Sequence, residues 1–378
     1  MVAGPLTVVQ MLPELESGGV ERGTLEMAKY LVRNGHRSIV ISGGGRMVSQ
    51  LESEGSEHVL WAIGKKSPLT LRFVLRLRKF LVRQKVDILH LRSRVPAWVG
   101  YLAWRSLPEQ VRPRLVTTFH GFYSINKYSA IMTKGESVVA ISKTIKEHIQ
   151  KVYNVPNEKI TLIHRGVDTE TFNPTKVSQD RIQMLQSAWG VNVKQKPLII
   201  LPGRVTSWKG HDVFLKSLAG IKDLSWTAVC VGELDRGSSS VKNLLNLRRE
   251  LALEKRVRFV EYCSDMPAAY LLADIVVSAS STQAEAFGRI AVEAQAMGRP
   301  VIATAHGGSI ETVVDGKTGW LVRPNETESM MEALREALTD KARAEQYGEN
   351  GMRWVRDNFT VEKMCKKTIS LYLDLINR

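Results

Sequence analysis

The sequence predicts an α/β protein made of two Rossmann-like, doubly wound domains that face each other across a cleft. Three observations lead there. Short apolar runs alternate with helical patterns along the whole chain. The alternation breaks only once, over Asp168–Pro197, which is polar and carries no strand pattern. A length of 378 residues suits two domains of ordinary size. Alternating β and α on this scale gives parallel sheets covered on both faces, and right-handed crossovers wind them in both directions.

The strands expected in the first half are Leu6–Met11, Ser38–Ser42, Asp87–Leu91, Leu115–Phe119, Ser137–Ala140 and Ile160–Ile163. Helical spacing fills most of the gaps, as in Val20–Asn34 and Ser142–Val152. In the second half the strands are Leu198–Pro202, Trp226–Val231, Val257–Val260, Ile275–Ser278 and Val301–Thr304, with helices such as Val241–Leu253 between them. The polar break reads as a linker, or a helix beside one. The domains are expected over 1–172 and 173–359, with an amphipathic helix in 360–378 packing back on the first.

Composition narrows the function. Hydrophobic residues make up 44% and charged residues 24%, ordinary for a soluble globular chain. Three cysteines without a C-x-x-C argue against a disulfide framework and a zinc ribbon. Met1 to Leu15 lacks the basic start of a signal peptide, and no apolar stretch is long enough to span a membrane. The formal charge is +15, and residues 1–175 hold 25 Lys and Arg against 14 Asp and Glu. Such a basic half expects an anionic partner: nucleic acid, a membrane surface or a phosphorylated substrate.

Ligands of doubly wound sheets bind beyond the carboxyl ends of the strands. The richest stretch there is Glu285-Ala-Phe-Gly-Arg-Ile-Ala-Val-Glu293, following the strand Ile275–Ser278. Ala286 to Met297 reads as a helix, with Glu285 at its entrance, and Gly288 lets a ligand approach the first turn. Glu293 sits in an apolar run, where a carboxylate needs a partner; a pair of hydroxyls would serve. The plainer reading is a helix-dipole carboxylate and a solvated face. Arg204 and Lys209 follow the strand Leu198–Pro202 and offer a planar fork and a point charge where a cleft ligand would lie. His120 follows the strand Leu115–Phe119, and Gly18-Gly19 follows the first strand without the spacing of a dinucleotide fingerprint. No D-x-D cluster is present, so neither a metal nor a cofactor is expected.

Taken together, the E-x7-E spacing, Ala305-His-Gly-Gly-Ser309, Gly316-Lys-Thr-Gly319, Gly203-Arg204 with Lys209-Gly210, Ser17-Gly-Gly19 and Thr118-Phe-His120-Gly121 resemble the retaining glycosyltransferases of family 4, which have the GT-B fold. The resemblance implies a nucleotide-sugar donor. It implies that Glu285 contacts the donor sugar and Glu293 the ribose, and that Arg204 and Lys209 hold the diphosphate. Ala286, Phe287 and Gly288 belong to the same donor loop. Gly19 then nears the phosphates, and His120 lies beside the transferred sugar. It also implies retention of configuration. The residues offer no enzymic nucleophile, so a front-face displacement is expected. Three positions depart from the pattern: Ala286 for a common Gly, Arg289 for an aliphatic residue, and Arg165-Gly-Val-Asp168 for N-G-V-D.

Within the family, Met266–Asp274 and Glu285–Pro300 look most like bacterial mannosyltransferases of the lipopolysaccharide inner core. GDP-mannose and a Kdo-bearing lipid A acceptor are then implied, on the cytoplasmic face of the membrane, with a UDP-sugar and another glycolipid or polysaccharide acceptor as the alternative. Arg72, Arg76, Lys79 and Arg83 fall on one side of a helix read over Pro68–Gln84, with Phe73, Leu77, Phe80 and Leu81 on another. This fits docking on anionic lipid, or an ordinary solvated face. A nicotinamide oxidoreductase would need the missing glycine fingerprint. A nucleic-acid binder would need a reader motif that is absent.

Overall fold

A computed structural model describes residues 4–16, 18–192, 197–235 and 237–378. Ser17 of the opening glycine motif, the first three residues of the stretch Met1–Leu15 that lacks a signal-peptide pattern, and 193–196 of the polar break lie outside them. Contacts divide the chain into two units. One runs to Arg165 and takes up Val361–Arg378; the other is Gly166–Thr360.

The first unit holds seven parallel strands: β1 (Thr7–Met11), β2 (Arg37–Ser42), β3 (Glu57–Leu60), β4 (Ile88–Leu91), β5 (Arg114–Phe119), β6 (Ser137–Ala140) and β7 (Ile160–Leu162). Their order is β3-β2-β1-β4-β5-β6-β7. The second unit holds six: β8 (Leu198–Pro202), β9 (Thr227–Val231), β10 (Val257–Val260), β11 (Ile275–Ser278), β12 (Val301–Thr304) and β13 (Gly319–Val322), ordered β10-β9-β8-β11-β12-β13. The central strands are buried on both faces, which is why they read as unbroken apolar runs. Each sheet reverses its winding once, between β1 and β4 and between β8 and β11.

Three expectations change. The break at 168–197 is part of the second unit: it contains the helix Gln179–Trp189, tied by Arg181 to Asp265 at 2.6 Å, and Phe172 stacks obliquely near Tyr270. The helix read over 286–297 begins only at Arg289, because Gly288 adopts a left-handed φ of 88° and starts it. The helix read over Pro68–Gln84 is a 3-10 turn, Pro68–Leu71, followed by an α-helix, Arg72–Arg83. Arg72, Arg76, Lys79 and Arg83 are all exposed on it, while Phe73, Leu77 and Leu81 are buried.

The final helix, Val361–Ile376, buries Met364, Thr368, Leu371, Tyr372 and Leu375, one stripe at helical spacing. Met364, Leu371, Tyr372 and Leu375 join Leu6, Val8, Met27, Ile88 and Val116 in the core of the first unit. Tyr372 also hydrogen-bonds His90 Nδ1 at 2.6 Å inside that core. Tyr372→Phe keeps the ring and leaves that nitrogen without its partner. We expect a loss of about 1–3 kcal/mol, read as a lower urea midpoint with an unchanged slope.

Candidate active site

The functional side chains of the second unit come from the two loops at its winding reversal. After β8 the chain passes through Gly203, with φ 136°, to the exposed Arg204. It then makes a 3-10 turn over Ser207–Lys209 and enters the helix His211–Ala219 through Gly210. Any side chain at 210 would run into the Ala279 carbonyl, which follows β11. The two loops can therefore close on each other only with glycine there. Ser281 completes the join, its N–H donating to the Trp208 carbonyl at 2.7 Å.

This closure brings Lys209 to Glu285. Lys209 Nζ lies 2.5 Å from Glu285 Oε1, and Ser280 Oγ donates to the same oxygen at 2.5 Å. Both ionic side chains are 15% exposed, so the pair is shielded and still reachable. The ammonium also sits 4.2 Å from the Trp208 ring centre. The Glu285 backbone is held from the other side: its carbonyl accepts from Gly308 N–H at 2.7 Å, and a Cβ at Gly308 would strike the Phe287 backbone. The Ala305–Ser309 segment is thus a brace for the glutamate loop. Arg204 takes no part in this network; its guanidinium makes no hydrogen bond or ion pair among the described residues.

Glu293 is buried in the second turn of the helix Arg289–Ala296. Arg289 Nε donates to its Oε1 and Tyr270 OH to its Oε2, each at 3.0 Å. Arg289, a departure from the family pattern, therefore serves as counterion one helical turn away. Of the expected donor loop, Ala286 is half-buried and Gly288 supplies the turn. Phe287 corrects the reading: its ring is core, edge-on to Phe359 at 5.6 Å, so only its backbone could face a ligand. Ser280, Trp208 and Tyr270 were missed. Nothing in their local spacing marks them; each acts across the fold.

Gly19 and His120 belong to the first unit. Arg165 joins them, donating to the Gly19 carbonyl and lying 3.4 Å from His120 Nδ1. A side chain at Gly23 would collide with the same guanidinium. Burial, then Arg92, Arg165 and His90, push the His120 pKa well below the usual imidazole value. The ring is therefore neutral at pH 7. A guanidinium only donates, so Nδ1 accepts and the ring proton is assigned to Nε2. Among the described residues no group of three or more His, Cys, Asp or Glu could hold a metal, and no helix is long and apolar enough to cross a membrane.

Two family models match the chain: "Glycosyltransferase Family 4" over residues 17–171 and "Glycosyl transferases group 1" over 187–354. The crystal structure of a glycosyltransferase from Rickettsia africae is 34% identical and covers 99% of both chains with a TM-score of 0.91. An uncharacterised glycosyltransferase of Methanocaldococcus jannaschii is 24% identical over 94% of each chain. The Anabaena protein HepE, solved with UDP and glucose, shares the fold at 23% identity, covering 97% of this chain and 99% of its own with a TM-score of 0.82.

Arg289→Ala removes the cation that hydrogen-bonds the buried Glu293 carboxylate and keeps the Tyr270 hydrogen bond. We expect ~3 kcal/mol of destabilisation, the low end for stranding a buried charge. Much of it should return in Arg289→Ala with Glu293→Gln, as measured by chemical denaturation. His211, buried behind Lys209, has its pKa pushed down by burial to about 4. Below pH ~6.5 the unfolded chain takes up a proton that the folded chain refuses. Its contribution is therefore complete above that pH and is lost as pH falls toward 4, on the order of 3 kcal/mol. His211→Leu should flatten part of the acid decline in urea midpoints.

Proposed function

The chain belongs to the family 4 glycosyltransferases of GT-B fold, and on that premise we propose that it transfers a hexose, with retention, from a nucleoside diphosphate sugar. One observation carries the reading. At the winding reversal of the second unit, an uncommitted Arg204 stands near a shielded Lys209–Glu285–Ser280 cluster.

The chemistry follows from charge. When the anomeric bond breaks, negative charge grows on the leaving diphosphate, and fixed cations lower that barrier. Arg204 supplies a planar fork with no prior partner. Lys209 supplies a point charge, already positioned by Glu285. Glu285 accepts hydrogen bonds from donor-sugar hydroxyls. Glu293, anchored by Arg289 and Tyr270, offers its remaining lone pairs to ribose hydroxyls. In the first unit, neutral His120 positions the transferred sugar rather than attacking its carbon. The leaving phosphate oxygen takes the acceptor proton, and no metal is needed.

The finer reading is mannose from GDP-mannose, delivered to an anionic glycolipid of the Kdo–lipid A type on the cytoplasmic face of the membrane. It is supported by the likeness of Met266–Asp274 and Glu285–Pro300 to lipopolysaccharide core mannosyltransferases. The exposed basic face of Arg72–Arg83, flanked by exposed Leu69, Leu71 and Leu75, suits an anionic membrane surface. The UDP found with Anabaena HepE favours a second reading, in which the donor carries uracil.

Thermal shifts with GDP-mannose, UDP-glucose and UDP-N-acetylglucosamine separate the two, since a ligand stabilises only what it binds. GDP-mannose should give the largest rise; a response to UDP sugars alone overturns mannose and keeps the transferase. With the best donor, Arg204→Ala should lower turnover on the order of 10²-fold, and NMR should find the donor's anomeric configuration in the product. Unchanged turnover or an inverted product would overturn the mechanism.

A further inference from the structure

The first unit contains a polar site of which the donor chemistry above uses His120 alone. A small cavity lies among His90, Arg92, Thr118, His120, Arg165 and Thr368, all of them in that unit. The sheet fixes its position. β1 and β4 are the neighbours at which the winding reverses, Arg92 is the first residue beyond β4, and His120 the first beyond β5. Carboxyl ends at such a reversal are where these sheets take ligands.

Charge and hydrogen bonding are incomplete there. Arg92 is only 5% exposed. Its Nη1 donates to Gln10 Oε1 at 2.6 Å, but its Nε is buried without an acceptor among the described residues. Glu26 attracts it through space and does not hydrogen-bond to it. His120 Nε2, which carries the ring proton because Arg165 faces Nδ1, is likewise buried and has no acceptor. His90 forms a wall rather than a ligand, since Tyr372 and Thr118 hold its two nitrogens, each at 2.6 Å. A buried guanidinium and a buried imidazole N–H, both lacking an acceptor, are costly unless something arrives to fill the gap.

An oxyanion fills it best, because charged acceptors make the strongest bonds with such donors. The free volume is about 20 Å³, room for one water-sized group and not for a ring. We infer that the first unit binds one oxyanion of a substrate, a carboxylate or a phosphate oxygen, between Arg92 Nε and His120 Nε2. The glycosyltransferase reading enters only in calling that anion part of a substrate; the binding itself does not depend on it.

Calorimetric titration of the full chain tests this with sodium glucuronate, inorganic phosphate and neutral glucose, at ionic strength held constant with sodium chloride. Glucuronate or phosphate should bind and glucose should not. Glucuronate binding assigns an acidic sugar, and phosphate binding assigns a phosphorylated one. Arg92→Gln should weaken that binding at least tenfold, and His120→Ala severalfold. UDP is titrated into every sample, so an unfolded variant is recognised, and His120→Ala carries the test if Arg92→Gln does not fold. A wild-type chain that binds the oxyanion and not UDP keeps this site and loses the nucleotide reading. Oxyanion binding no stronger than chloride, or equal in wild type and both variants, overturns the site.

Discussion

Lys209 meets Glu285 because β8 and β11 are neighbours in the sheet although some seventy residues separate them in the chain. That adjacency is the constraint on which the candidate site of the second unit rests. It lets the loop after one strand close on the loop after the other, and Gly210 and Ser281 seal the closure against the Ala279 and Trp208 carbonyls. A shielded cation is then held beside a carboxylate that would otherwise be expensive to keep out of water. The same carboxylate's backbone is braced by Gly308, so its position depends on the loops after three strands, β8, β11 and β12. Arg204 stays outside the network, which leaves it a cation with no internal claim on it.

Much of this was legible in the sequence. The buried central strands appeared as continuous apolar runs, within one residue of their observed ends at β1, β4, β8 and β11. β3 was not, because Glu57 and Leu60 are exposed at a sheet edge and carry no buried pattern. β13 begins at Gly319, where the Gly316–Gly319 motif ends. The expected helix around Glu293 starts three residues early. Apolar spacing continues through Phe287, and only the backbone shows that Gly288 turns left-handed and Phe287 faces inward.

The site divided in the same way. Glu285, Glu293, Arg204, Lys209, Gly19 and His120 stood out because they follow strands in recognisable motifs. Their supporting residues did not. Ser280, Tyr270 and Arg92 matter for what lies opposite them in the fold, and nothing local reports that. Arg165 and Arg289 were visible only as departures from a pattern. Their explanations, a clasp on the Gly19 carbonyl and a counterion for Glu293, needed coordinates.

The return of Val361–Ile376 to the first unit has a consequence for biosynthesis. The unit whose strands are made first lacks a wall of its core until Val361–Ile376 emerges from the ribosome. The half made later has all its strands well before that. Maturation thus runs against the usual amino-to-carboxyl order. A nascent chain stalled short of Met364 would carry a finished domain behind an unfinished one, with Leu6, Val8 and Ile88 uncovered and open to chaperones.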